Sequence, residues 1–241
     1  MSLSLDLSPA NCAPSDDIRQ KLLVWAQSHR RDRIFAKDEK IPTRPGLIYF
    51  VETGVVRLEG TPDRECLPLS PIDAADETDL GMFLGLVAAG KPFYWESSRS
   101  MILHAYAHLE STQVFWLYWS ELSQWEGLGD FIGRSILQQH QHYLAWLSLF
   151  GQKRAIDRLL GFLVLLIQEY GVLAAEGLYF PYPLTHAQIG RAIGATRVTV
   201  TRLIGRLRTK GVIVLHQDHF ICLPFLAQET ETTPNLELAS H

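Results

Sequence analysis

The apolar positions of this chain change period along its length, and each period predicts a different element. IRQKLLVWAQSH, residues 18–29, spaces its large apolar side chains as on one face of a short amphipathic helix. Beyond it, IFAKDEKIPTRPGLIYFVETGVVRLEG alternates β-formers with turn residues. Pro45-Gly46 predicts a turn, Leu47–Val51 a strand, and Gly54 the tip of a hairpin returning through Val55–Leu58. Residues 60–79 hold three prolines and a cluster of acids, the pattern of an exposed loop. The apolar stretch LGMFLGLV and the region Met101–Tyr118, rich in His, Tyr, Val, Phe and Trp, then predict the short strands of an antiparallel barrel or sandwich.

From Gly127 the period becomes helical. No proline interrupts residues 127–150, and Ile132, Ile136, Tyr143, Leu147 and Phe150 recur at spacings of three and four, with His140 filling the gap. Such a stripe predicts one long helix, roughly 36 Å at 1.5 Å per residue, able to pair with a copy of itself. Lys153–Tyr170 predicts a second helix around Ile156, Leu159, Leu160, Leu163, Leu166 and Ile167, stopped by Gly171, and AAEGLYFPYP predicts a loop.

The next segment, LTHAQIGRAIGATRVTVTRLIGRLRTKGVIVLHQDHFICL, carries local signals of higher specificity. Thr185 with Gln188 makes a capping box, placing Ile189 and Ile193 on the inner face of a helix. Gly194 suits a tight turn, and Thr196 caps a second helix that runs through Arg208 and ends at Lys210-Gly211. Helical spacing turns Val200, Leu203 or Ile204, and Leu207 inward and leaves Arg197, Val198 and Arg202 outward. VIVLH and HFICL, separated by Gln217-Asp218, predict a hairpin wing. His216 and His219 flank its turn.

Charge sharpens this picture. The chain carries −4 overall, but residues 184–211 hold five arginines and one lysine with no acid, so +6 sits here and −10 elsewhere. A polyanion partner is therefore directed at one segment. An outward arginine can fork onto guanine O6 and N7, and an outward valine can touch a thymine methyl. Arg197, Val198 and Arg202 are thus expected to read bases. Thr185, His186, Thr196, Thr199, Arg206 and Lys210 are expected to meet the DNA backbone.

The three cysteines, Cys12, Cys66 and Cys222, match no zinc-ribbon or iron–sulfur spacing, as expected of unpaired thiols in a reducing compartment. The opening MSLSLDLSPANCAPSDD is acidic and broken by proline, unlike a secretory leader, and GFLVLLI is far short of the roughly 20 residues of a membrane span. A cytoplasmic protein with no membrane partner is expected.

The segment LTHAQIGRAIGATRVTVTRLIGRLRTKGVI resembles the helix-turn-helix of the catabolite activator / fumarate–nitrate regulator (Crp/Fnr) family of bacterial transcription factors. The resemblance implies an α+β fold: a cyclic-nucleotide-binding-like β-roll serving as an effector or sensor-like domain (18–126), a dimerisation helix (127–150), a winged helix-turn-helix (151–225) and a flexible tail (226–241). It also implies a homodimer whose interface holds Ile132, Ile136, His140, Tyr143, Leu147 and Phe150, with double-stranded DNA and RNA polymerase as further partners. Within the family, ATRVTVTRL resembles the recognition helix of the cyanobacterial global nitrogen regulators. That likeness implies a palindromic site whose half-sites contain GT or GTA.

The effector side departs from these relatives. The family's cyclic-AMP pocket needs a glycine–glutamate element followed by Arg-Ser or Arg-Thr. In LGMFLGLVAAGKPFYWESSRS no glutamate directly follows Gly85, and Arg99-Ser100 falls too far on. The nitrogen regulators' 2-oxoglutarate site needs an arginine and a glutamate on the dimer helix, where alignment through ILQ puts Ser135 and His140. No cysteine cluster offers an iron–sulfur site. No cofactor is therefore named, and an unidentified small-molecule effector stays open.

Three alternatives compete. A cupin-like enzyme needs convergent His and carboxylate ligands on strands, which the pattern does not supply. A haem or metal sensor could draw on nine histidines, but His104 and His108 lie four apart in a strand-like region and His140 and His142 diverge on a helix, so no metal ligand set is expected. A winged helix binding protein or RNA fits the outward Arg-Val and Arg positions less well than duplex DNA does. No catalytic residue is expected.

Overall fold

The computed structural model describes residues 16–63, 81–94, 101–175, 177–216 and 220–223. Most of the expected acidic loop at 60–79, Arg99-Ser100, the wing turn Gln217-Asp218 with His219, Cys12, Cys66 and the tail at 226–241 lie outside the described residues. The chain forms two compact units that divide between Tyr143 and Leu144.

Among the described residues the first unit holds helix α1 (Asp16–Ser28) and then eight strands: β1 (Asp32–Phe35), β2 (Lys40–Ile41), β3 (Leu47–Thr53), β4 (Val55–Pro62), β5 (Met82–Ala88), β6 (Pro92–Tyr94), β7 (Met101–Ala107) and β8 (Thr112–Tyr118). They make two antiparallel four-stranded sheets, in the orders β1-β8-β3-β6 and β2-β7-β4-β5. A 3-10 turn, Trp119–Gln124, leads to helix α2 (Leu128–Leu149).

Strand β3 shows why Leu47–Val51 reads as a continuous apolar run rather than an alternation. All five residues are buried because both faces of the strand are covered. Tyr49 and Val51 point into a core between the sheets with Phe35, Val56, Leu58, Phe93 and Val114. Ile48 and Phe50 point the other way, onto Leu22 and Ala26 of α1 and Leu128, Phe131 and Ile132 of α2. Ring pairs lock each side: Tyr49 stacks on Phe93 and Phe50 on Phe115, both at 5.1 Å. The Tyr49 hydroxyl donates to Pro42 O at 3.1 Å and accepts from the Arg44 amide at 2.9 Å, so this buried polar group is satisfied.

Four arginines of this unit are tied to carboxylates. Arg19 meets Glu52 at 3.0 Å, Arg31 meets Glu121 at 2.6 Å, and Arg33 meets Glu39 at 2.5 Å. Arg57 is buried on β4 and holds Glu59 at 2.8 Å and Asp38 at 2.9 Å. His108 is buried beside it, its Nδ1 3.5 Å from Arg57 Nη1, while His104 stands 3.3 Å from the Thr61 hydroxyl on the neighbouring strand.

The expected hairpin at Gly54 is not formed. Strand β3 pairs with β6 and β8, and β4 with β5 and β7, so the chain crosses from one sheet to the other at this residue. Gly54 has φ +79°, and a Cβ there would lie 2.5 Å from the Thr112 hydroxyl. The glycine serves a close crossing over β8 rather than a two-strand reversal. The turn expected at Pro45-Gly46 is present, with Gly46 at φ +78°.

Helix α2 spans 22 residues, about 33 Å. The apolar stripe expected to face a partner is rotated. Ile132, 2% exposed, packs into the first unit's own core and is covered by it, and half-buried Ile136 packs against the same core. The open face instead carries Leu137, Leu144 and Leu147, with Gly133 and His140 in the same row. Tyr143 and Phe150 flank it, partly exposed. The helix carries apolar residues on two faces, and the stripe drawn from sequence mixed them.

In the second unit, α3 (Ala155–Tyr170) buries Leu159, Phe162, Leu163, Leu166 and Ile167. Then come β9 (Val172–Ala174), β10 (Gly177–Tyr179), α4 (His186–Ile193), α5 (Arg197–Thr209), β11 (Val214–His216) and β12 (Phe220–Leu223). The expected wing hairpin is present as β11 and β12, but it belongs to a four-stranded sheet in the order β11-β12-β10-β9. The loop expected over AAEGLYFPYP therefore contains a strand, with Leu178 and Tyr179 pairing with Leu223 and Cys222. No helix among the described residues is long and apolar enough to cross a membrane.

Candidate nucleic-acid interface

Two capped helices and the turn between them build the basic surface. Thr185 caps α4: its hydroxyl accepts from the Gln188 amide at 3.2 Å, and the Thr185 amide donates to Gln188 Oε1 at 2.8 Å, completing the capping box. Gly194 ends the helix in the left-handed region at φ 63°, ψ 49°. Thr196 caps α5, its hydroxyl accepting from the Thr199 amide at 3.2 Å and lying 2.9 Å from the Thr199 hydroxyl. Within α4, a Cβ at Gly190 would fall 2.5 Å from Ala195 O, so glycine there lets the turn and the second helix approach.

Packing fixes which side of α5 faces out. Ile189, Ala192 and Ile193 of α4 are buried, as are Val200, Leu203, Ile204 and Leu207 of α5. The α4 carbonyl end is held from behind, in two places. Arg158 of α3 donates from Nε to Ile193 O at 2.8 Å and from Nη1 to Gln152 O at 3.0 Å, and Trp146 Nε1 donates to Ala192 O at 3.0 Å. These positioning contacts link residues distant in sequence, so no local pattern revealed them.

The three residues expected to read bases lie together on the open side. Val198 is 77% exposed, and Arg197 and Arg202 are exposed beside it. Arg197, Arg202, Arg206, Arg208 and Lys210 make no ion pair among the described residues, and no acid occurs between residues 184 and 211. The arrangement concentrates uncompensated positive charge around a small apolar contact, which suits a phosphate-lined groove with base edges at its floor.

The residues expected at the backbone divide into two groups. Arg206 and Lys210 are exposed cations on α5 and at its end. Thr185 and Thr196 are exposed, but their hydroxyls are already engaged as caps, and half-buried Thr199 is paired with Thr196. His186 is half-buried, with Nδ1 2.8 Å from the Thr201 hydroxyl, which itself donates to Arg197 O at 3.0 Å. Thr201 thus couples the start of α4 to the exposed side of α5. It was missed from sequence although it lies three residues after Val198 on the same helical face.

Among the described residues, no group of three or more His, Cys, Asp or Glu is placed to hold a metal ion.

Comparison with known proteins agrees with this geometry. The model of the Crp-like helix-turn-helix domain matches residues 157–227. The global nitrogen regulator of Nostoc sp. is 48% identical over 61 residues, covering 25% of this chain and 27% of that protein. The transcriptional regulatory protein btr of Bordetella pertussis is 33% identical over 99 residues, covering 40% of this chain and 39% of its own. The chain thus spans about a quarter to two-fifths of the length of these curated relatives. Among solved structures, FixK2 from Bradyrhizobium japonicum superposes with TM-score 0.62 at 24% identity, covering 87% of this chain and 98% of that one. A cyclic nucleotide-binding domain containing protein from Listeria monocytogenes gives 0.67 at 16%, covering 86% and 98%. Residues 157–227 match a Crp-like helix-turn-helix, and the α+β fold is shared with FixK2 and with a transcriptional regulator of the CRP/FNR family from Thermus thermophilus, TM-score 0.58 at 21% identity, covering 80% of this chain and 93% of that one.

Proposed function

We propose that this chain is a transcription regulator of the Crp/Fnr type that binds a palindromic duplex as a homodimer, acting on transcription through RNA polymerase. The observation that carries the proposal is the exposed trio Arg197, Val198 and Arg202 on a capped helix, surrounded by cations that pair with no acid among the described residues. Arg197 and Arg202 supply forked donors for guanine, and Val198 supplies an apolar contact for a thymine methyl. By likeness to the nitrogen regulators' recognition helix, each half-site contains GT or GTA.

Dimerisation is supported by the open face of α2. Gly133, Leu137, His140, Leu144 and Leu147 follow one another at spacings of four, three, four and three, the seam of a two-stranded coiled coil. No acid or permanent cation interrupts it, so a second copy of the same helix in parallel register is a complementary occupant. A two-fold pair of α5 helices requires two inverted half-sites.

The test is a duplex with inverted GTA and TAC half-sites set against a scrambled duplex at one salt concentration. Specific recognition is expected to favour the first by about 10³-fold or more. Equal affinity for the two overturns the reading. Sedimentation of the doubly substituted Leu144→Asp, Leu147→Asp chain is expected to show a monomer whose operator affinity is lower by about 10²–10⁴-fold, the loss of linked half-sites. A wild-type chain that stays single at DNA-binding concentrations removes the dimer.

A further inference from the structure

A groove of about 550 Å³ opens between the C-terminal half of α5 and strand β11, lined by Gly205, Arg208, Thr209, Ile213, Val214 and Leu215. Gly205 is exposed and lies in the interior of a 13-residue helix, where glycine is a poor helix former. Nothing in the chain requires it. Its φ is outside the left-handed region, and a Cβ added there meets no atom within 4 Å. A destabilising residue that the fold does not need points to something outside the chain that approaches the helix closely.

The face on which Gly205 lies identifies that object. Val198, Thr201, Arg202 and Gly205 stand at spacings of three, four and seven, one continuous row along the exposed side of α5. Arg208, at the edge of the groove, is exposed and makes no ion pair among the described residues. Strand β11 forms the opposite wall through Val214 and Leu215, whose side chains project to opposite faces of the strand, and most of the groove's lining is polar. A cation in a largely polar groove matches the phosphates along one strand of a duplex.

We infer that this groove seats a sugar–phosphate segment of bound DNA, with Arg208 on a phosphate and Gly205 providing clearance for the backbone. The inference rests on the DNA-binding reading above and adds two residues to it. It assigns both to positioning rather than base reading, so their loss acts alike on all sequences.

The experiment uses the full chain, the inverted GTA/TAC duplex and the scrambled duplex, with affinity measured across a salt series. Gly205→Leu is expected to weaken both complexes about tenfold, while Gly205→Ala raises Tm by about 2–4 °C and still weakens binding. Arg208→Ala is expected to lower the slope of log affinity against log salt by about one, and Arg208→Lys to restore it. Full affinity in Gly205→Leu, or an unchanged slope in Arg208→Ala, overturns the groove while leaving operator recognition standing. A wild-type chain that binds neither duplex removes both together.

Discussion

Two sets of arginines, one in each unit of this molecule, are used in opposite ways. In the first unit Arg19, Arg31, Arg33 and Arg57 are each held by a carboxylate at 2.5–3.0 Å, and Arg57 is buried with its partner Glu59. In the second, Arg197, Arg202, Arg206 and Arg208 stand exposed along one helix in a segment without a single acid. A neutralised guanidinium braces a fold and has little attraction left for an outside anion. An exposed one contributes little to the fold and keeps its field for a ligand. The difference predicts that substitutions in the two sets will separate stability from binding.

The largest effect is expected at Arg57. Arg57→Met leaves Glu59 buried without its cation and should cost about 3–5 kcal/mol in urea unfolding, with DNA affinity unchanged in the protein that remains folded. A binding defect in folded Arg57→Met would break the contrast. At Arg197 the expectation is reversed: Arg197→Ala should lose about 1–3 kcal/mol of discrimination between operator and scrambled duplex, with no change in Tm. An equal loss on both duplexes would move Arg197 from the bases to the backbone.

Smaller effects sharpen the contrast. Thr185 lies in the basic unit, yet its hydroxyl is spent on the Gln188 amide. Thr185→Ala should therefore cost about 1 kcal/mol of stability by thermal unfolding, and Thr185→Ser should restore it. The smallest effect is a pH dependence at Glu121. Burial pushes its carboxyl up, but the Tyr118 amide and the Arg31 guanidinium more than offset this and hold it below its ordinary 4.5. A depressed acid stabilises the fold fully above the unfolded value and loses that contribution as pH falls through the folded one. Glu121→Gln should flatten the acid limb of the stability curve below about pH 4.5 without altering stability's slope near neutrality. An unchanged acid limb would mean that this pair does not brace the unit.

How much of this was legible in the sequence depends on the range of the interactions. The caps at Thr185 and Thr196, the left-handed Gly194 and the outward placement of Arg197, Val198 and Arg202 follow from residues within a few positions of each other. Local rules found them all. Gly205 and Arg208 were within reach of the same rule, since Gly205 extends the row from Val198 by two turns, but neither carries a motif. The sheet partners, the burial of Ile132 and Ile136, and the bracing of α4 by Arg158 and Trp146 depend on residues far apart in the chain. Periodicity shows that α2 has apolar faces. It does not show which one the first unit's core claims.

The crossing at Gly54 bears on how the molecule reaches its native state. Val51 pairs with Val114 and Val56 with Ala107, so two strands joined by one residue each wait for partners made much later. During synthesis, residues 47–62 emerge with unsatisfied edges until 101–118 have followed, and the rate of acquiring structure is set by closing those long loops. A nascent chain halted between the two segments is accordingly expected to be the species most prone to aggregate, and the one on which a chaperone has most to hold.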